Sequence, residues 1–232
     1  MDVPGGAARD ERPVVLDHRE TPRGELVLRR AGDDFEVIAN GTFLMDTRDG
    51  RSERALVREA VAGQANVRML LGGLGLCTSL DAARAEPAVT EVVVCEIEPA
   101  VVEWARTFLG ERGRGLDDAR VHLCVCDLRD ALRTLPGTFD AVCLDVDNGP
   151  GWLVHPENAE LYDDAGLARL HGRLRPGGRL TVWAAAADAD FEGRLRRRFE
   201  RVRAVAIPVR RGPDDVIYVA EAAPVLTPAT SP

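Results

Sequence analysis

"VRMLLGGLGLCTSLDAA", residues 67–83, runs from an apolar stretch through three glycines in four positions, Gly72, Gly73 and Gly75, into residues at helical spacing. A buried strand that ends in such a turn and feeds a helix is the opening unit of a doubly wound α/β domain, where ligands sit beyond the carboxyl ends of the strands. Glycine at the turn permits positive φ and removes the Cβ that would block a nucleotide sugar. A glycine turn can also serve only to let a helix pack close to its strand, so the neighbouring segments decide between the two.

Towards the C-terminus the texture repeats. "EVVVCEI", "RVHLCVCD", "FDAVCLDV", "GRLTVWAA" and "DDVIYVAE" are apolar runs separated by turns and helical spacing. Their β-branched, almost uninterrupted character is what a sheet covered on both faces requires. The expectation is an α/β fold over residues 51–222: a doubly wound, mostly parallel, Rossmann-like sheet. Towards the N-terminus, residues 13–50 alternate in "PVVLDHRE", "GELVLRRA", "DFEVIAN" and "TFLMDT", with turn signals between them, which predicts a small antiparallel β-hairpin sheet. "SERALVREAVAG" then has helical spacing, with Ser52 as its N-cap and Gly63 at its end. Residues 1–12 and 223–232 read as flexible tails.

The chain has 232 residues, enough for one sizeable core with a small appendage. Its formal net charge of −8 gives no positive field to attract phosphate backbones or anionic lipid, so neither nucleic acid nor membrane is an expected partner. Cys77, Cys95, Cys124, Cys126 and Cys143 are odd in number, lack CxxC spacing and fall mostly in apolar runs. They read as buried thiols of a reducing cytoplasm, and a cytoplasmic location is expected. A zinc site at Cys124 and Cys126 would need ligands that His18, His122, His155 and His171 do not supply at suitable spacing. No metal is expected.

Glu96 strengthens the reading of the glycine turn. It ends the next strand, 23 residues after Gly73, where a carboxylate can accept both hydroxyls of a ribose, with Ile97 beside it. The alternative is a solvated strand-end acid. Asp127 closes the following strand and can accept from an adenine amine while the backbone at Leu128 reads the ring edge. An acid at this place is more often the N-cap of a helix, here "LRDAL", than a ligand, and the two roles are compatible. The third position of a GxGxxG turn is occupied by Thr78, so a dinucleotide is a poorer match than an S-adenosyl ligand, which needs no pyrophosphate seat.

With Gly73, Gly75, Glu96, Pro99, Asp127, Asp145 and "RPGG" in order, the chain resembles the spermidine and spermine synthase family within the class I S-adenosylmethionine-dependent transferase fold. "FEVIANGTFLMDTRDGRSERALVREA" looks like that family's N-terminal sheet and first helix, "LLGGLGL" like its cofactor turn and "LDVDNGPG" like its catalytic loop. The resemblance implies S-adenosylmethionine or its decarboxylated form as co-substrate, bound by Gly72, Gly73, Gly75, Glu96, Ile97, Asp127, Leu128 and Asp145. It makes Asp145 the general base, because an ammonium cannot attack a sulfonium-bound carbon until a proton is removed. Glu53 is the nearest counterpart of a Tyr-His-Glu triplet, and Asn148, or Asp147 shifted by one, of a second catalytic-loop acid. These three are expected at the acceptor.

A small, amine-bearing, cationic acceptor and a homodimer are implied as well. The chain departs from the family pattern at Leu74, where polyamine synthases carry an Asp, and at Leu167, where a Tyr often lies. Leu71 stands where methyltransferases carry an acid. Asp145, Asp147, Glu157, Glu160, Asp163 and Asp164 would draw a cation to the mouth, or else form a solvated face with acids in a helix's first turn. Three ligands as close in sequence as Asp145, Asp147 and Asn148 do not readily converge on an octahedral ion, so magnesium is not expected. Trp152 and His155, in the same loop, carry no assigned role. Methyl transfer to a small molecule and a catalytically silent nucleotide-binding relative remain the alternatives.

Overall fold

The structure, a computed structural model, describes residues 12–210 and 212–224. The tails expected at 1–12 and 223–232 lie almost wholly outside the described residues. The chain divides into two compact units with the boundary between Arg48 and Asp49.

The first unit is an antiparallel sheet of β1 (Val14–Thr21), β2 (Gly24–Ala31), β3 (Asp34–Ala39) and β4 (Thr42–Asp46), ordered as in the sequence. Asn40 and Gly41 both have positive φ, as a two-residue hairpin turn that matches strand twist demands. Leu26, Leu28, Val37 and Ala39 bury one face, and the buried Glu36 is ion-paired to Arg29 and Arg48.

The second unit opens with α1 (Arg51–Val61) and β5 (Val67–Gly72), followed by α2 (Thr78–Ala85), β6 (Val89–Glu96), α3 (Pro99–Phe108), α4 (Glu111–Arg114), β7 (Val121–Val125) and α5 (Leu128–Thr134). It continues through β8 (Phe139–Leu144), α6 (Ala159–Tyr162), α7 (Asp164–Gly172), β9 (Leu174–Ala184), α8 (Ala189–Arg198), β10 (Arg201–Ile207) and β11 (Asp215–Glu221). Among the described residues these strands form a seven-stranded sheet in the order β10-β11-β9-β8-β5-β6-β7. The five strands from β9 to β7 in this order are parallel, whereas β11 runs antiparallel to β9 and β10 antiparallel to β11.

The chain steps outward from β5 to β6 and β7, then returns to place β8 on the other side of β5. That reversal makes the β5/β8 crevice the topological switch point, where an open α/β sheet binds its ligand. Met69, Leu70 and Leu71 of β5 and Ala141, Val142, Cys143 and Leu144 of β8 are wholly buried, which explains why both segments are apolar without alternation.

Two local expectations are corrected. Ser52 is not the N-cap of α1: Gly50 holds that position, and Asp49 Oδ1 accepts the Arg51 amide at 3.1 Å, so the orphan donor is satisfied before Ser52 is reached. Ser52 is instead buried in the first turn of α1, and Gly63 ends the helix at φ +72°, as expected. The sheet also carries β10, which the apolar runs did not reveal, because "RVRAVAI" is an edge strand with every residue exposed or half-buried.

Candidate active site

The glycine turn is held by contacts inside the crevice. Gly73 has φ +94°, and a Cβ there would stand 2.1 Å from the carbonyl oxygen of Asp145. A Cβ on Gly72 would stand 2.6 Å from Cδ2 of the buried Leu128. Only glycine lets the ends of β5 and β8 approach so closely, and the Asp145 amide donates to the Gly72 carbonyl at 2.9 Å. Gly75 follows at φ +51° and Cys77 at φ +66°.

Glu96 faces this turn. Its Oε2 accepts the Leu74 amide at 2.9 Å and its Oε1 accepts the Glu98 amide at 2.8 Å. Burial pushes its carboxyl upward against the lowering pull of the Glu98, Leu74 and Gly75 amides. An ionised carboxylate has about four lone-pair sites, so these amides leave capacity for ribose hydroxyls. The half-buried Ile97 lies between Glu96 and Glu98. Asp127 caps α5: its Oδ1 accepts the Arg129 amide at 2.7 Å, and the Arg129 guanidinium spans both carboxylate oxygens.

Asp145 follows the last residue of β8. Its Oδ2 accepts the Ser79 hydroxyl, from the first turn of α2, at 2.5 Å. Burial raises the Asp145 carboxyl; Ser79 offsets part of this, and the charge of Asp215 adds to it. Glu53, in the first turn of α1, is pushed up to about 8, first by burial and then by the Asp145 charge, with Asp215 contributing further. Asp215 opens β11; its Oδ2 accepts the Ser52 hydroxyl at 2.5 Å and the Trp183 indole N–H at 3.2 Å. Three carboxylates from α1, β8 and β11 therefore share one electrostatic neighbourhood. Such a group retains protons or attracts a cation.

Sequence reasoning brought Glu53 and Asp145 forward but missed Asp215, Ser52, Ser79 and Trp183 as their partners. The available signal was the direction of the last strand: because β11 is antiparallel, its first residue lies at the sheet edge where the parallel strands end.

The loop after β8 separates its two expected acceptor residues. Asp147, at φ +55°, accepts the Asn158 side-chain amide at 2.7 Å and the His155 backbone amide at 3.4 Å, so its carboxylate organises the loop. Asn148 is 6% exposed; its backbone carbonyl accepts from Ala185, and its Nδ2 has no protein partner among the described residues. Asn148 lines a cavity of about 760 Å³ together with Trp152, Asp188, Pro213 and Asp215. The remaining acids of the expected mouth serve elsewhere. Asp163 caps α7 by accepting the Gly166 amide, Asp164 pairs with Arg197, the exposed Glu160 pairs with Arg129, and Glu157 is exposed.

Burial pushes the Cys77 and Cys143 thiols up to about 12, which makes them poor nucleophiles. Among the described residues, His18, Glu20 and Glu25 bring donor atoms close enough to share an ion, at a largely exposed position on β1 and β2.

Residues 71–184 match the spermine/spermidine synthase domain. The polyamine aminopropyltransferase of Mycobacterium tuberculosis (strain ATCC 25618 / H37Rv) is 32% identical over 177 residues, covering 74% of this chain and 33% of that protein. The spermidine synthase of Dictyostelium discoideum is 26% identical over 178 residues, covering 75% and 61% respectively. The chain thus spans about a third of the length of the mycobacterial relative.

Among solved structures, a spermidine synthase in complex with the transition state analogue AdoDATO superposes with a TM-score of 0.77 at 16% identity, over 89% of this chain and 73% of that one. The spermidine synthase of Thermotoga maritima gives 0.75 at 16% identity, over 89% and 72%. At that identity the likeness concerns the fold. The β5/β8 crevice and the acid facing its glycine turn agree with these matches: residues 71–184 match a spermine/spermidine synthase domain, and the chain is spermidine synthase-like, with the class I methyltransferase-like fold and transferases as its relatives.

Proposed function

We propose that the chain transfers an aminopropyl group from decarboxylated S-adenosylmethionine to a primary amine of a cationic polyamine. The observation that carries this reading is the electrostatic grouping of Glu53 and Asp215 with Asp145, which stands at the switch point: carboxyls that repel one another's ionisation and that an ammonium would stabilise in the ionised form. In the reaction the acceptor nitrogen forms a bond to the aminopropyl carbon attached to the sulfonium. The sulfur–carbon bond breaks, sulfur keeps the electron pair as a neutral thioether, and the proton lost by the amine passes to Asp145.

Within this reading Asp145 receives the proton and Ser79 fixes its carboxylate. Burial brings its basicity closer to working pH than that of an exposed carboxylate. Glu96 and Ile97 would hold the ribose edge, and Asp127 with Leu128 the adenine edge, with Gly72, Gly73 and Gly75 forming the turn beneath. Glu53 and Asn148 would face the acceptor, and Asp147 would act on it through the loop it organises. With Leu74 in the turn, the three-acid group would supply the counter-charge for ammonium groups. Methyl transfer has less support, because the relatives are named for aminopropyl transfer and spermidine synthesis.

Incubation with decarboxylated S-adenosylmethionine and linear amines, followed by mass spectrometry, tests the reading. The expected product is heavier by one aminopropyl group, and Asp145→Asn should lose about 10²-fold or more in rate with nucleoside affinity retained. Methylated product from S-adenosylmethionine, no transfer to any linear amine, or a wild-type rate in Asp145→Asn would each overturn it.

A further inference from the structure

Away from the crevice, the first unit presents three side chains of the kinds that ligate metals on one face of one hairpin. Glu20 of β1 stands directly opposite Glu25 of β2 in the register, and His18 stands opposite Val27. Residues two apart on a strand share a face, as do directly opposed residues, so His18, Glu20 and Glu25 all project from the same side. Leu26 and Leu28 bury the other side, and solvent reaches all three side chains. Sequence spacing conceals the group, because the turn between the strands sets His18 and Glu25 seven residues apart.

Two like charges directly across a strand pair destabilise it unless a cation lies between them. Among the described residues the ion pairs of Glu20 and Glu25 are both with His18, at 3.8 and 2.8 Å from its Nε2. One imidazole nitrogen carries at most one proton, which serves one carboxylate, whereas a metal ion would serve both. Zinc bonds of about 2.0–2.1 Å to nitrogen and oxygen, at tetrahedral angles, set ligand atoms about 3.3 Å apart. The distances of 2.8 and 3.8 Å bracket that spacing, and the three donor atoms all lie within 4.8 Å of one another. The backbone beneath is braced. The Glu25 amide donates to Asn40 Oδ1 at 2.9 Å, the Asn40 amide donates back to the Glu25 carbonyl at 2.9 Å, and the His18 amide donates to Asp17 Oδ1 at 2.9 Å. Ligands on paired strands are held more precisely than ligands on a loop.

We propose that His18, Glu20 and Glu25 form a surface site for a divalent transition-metal ion of the zinc class, which clips β1 to β2. One imidazole with two carboxylates suits zinc, nickel or copper ahead of magnesium or calcium, which take oxygen ligands. Three protein ligands leave a fourth tetrahedral position for water. The site belongs to the first unit and does not depend on the transferase reading.

Calorimetric titration of the untagged whole chain with zinc chloride tests the site. One equivalent should bind, and His18→Ala and Glu25→Gln should each weaken it at least about tenfold, since even the loss of a partner behind a ligand costs about 10–100-fold. Solvent reaches both positions, so the variants should fold, and their zinc-free melting curves should stay close to that of the unaltered protein. Hydrogen exchange of the β1 and β2 amides gives a second reading. Zinc should slow it in the unaltered chain and leave it unchanged in His18→Ala. Calcium at the same concentration should give neither signal. The proposal is overturned by no zinc binding, by an affinity unmoved in both variants, as it would be if the ion sat on cysteine thiols, by amide exchange that zinc leaves unaltered, or by calcium binding as tight as that of zinc.

Discussion

Replacing Glu53 by Gln should change how stability depends on pH. Burial and the neighbouring Asp145 charge raise the Glu53 carboxyl from its ordinary 4.5 to about 8. Between those values the folded chain keeps a proton that the unfolded chain has released. Fewer protons are then bound on unfolding, so stability falls as pH rises through the window. Each pKa unit corresponds to about 1.4 kcal/mol, and the full displacement would approach about 5 kcal/mol; partial solvent access to Glu53 reduces this to on the order of 2–3 kcal/mol.

Urea unfolding at pH 5.5, 6.5 and 7.5 measures the effect. The unaltered protein should lose stability across the series, whereas Glu53→Gln should exceed it by less than about 1 kcal/mol at the lowest pH and by on the order of 2 kcal/mol at the highest. His171, lowered by burial and by Arg198, acts in the opposite direction at the acid end, but it is present in both proteins and cancels in their difference. A linear polyamine should restore much of the lost stability at pH 7.5 by supplying the missing positive charge. Parallel profiles for the two proteins, or a Gln variant less stable at pH 7.5, would refute the reasoning.

Gly73→Ala should cost at least about 3 kcal/mol, because it combines a positive φ with a Cβ placed 2.1 Å from the Asp145 carbonyl oxygen. Thermal melting by circular dichroism would show it, and an unchanged midpoint would count against the contact. Glu96→Gln should weaken adenosine-nucleoside binding about 10- to 100-fold in calorimetry, the scale of hydrogen bonds to a charged group. Unaltered affinity would remove Glu96 from the ribose edge.

The central strands were legible because burial on both faces imposes continuous apolar runs, and Val67–Gly72 and Phe139–Leu144 have no freedom to alternate. The turn and its acid were legible because both lie at strand ends whose direction follows from the strand-helix rhythm. The partners of the acids were not. Ser79 meets Asp145 across 66 residues and Ser52 meets Asp215 across 163, through crossings that no local pattern encodes. Asp147 looked like its neighbours in an acidic loop, but its left-handed backbone and its bond to Asn158 make it a loop brace. The edge strand Arg201–Ile207 was hidden because its arginines and exposed faces break the apolar signal that identified the others.

The contact between Gly73 and the Asp145 backbone works as a joint without slack. On the proposed function, a molecule that tugs on the glycine bend must also shift the proton-accepting side, so grip on the nucleoside and reactivity at the nitrogen would not be adjustable independently by changes within the joint. Divergence in acceptor choice has to come from parts that reach the crevice from outside it. The first helix and the reversed strand, which bring Glu53 and Asp215, are where such tuning is mechanically free to occur.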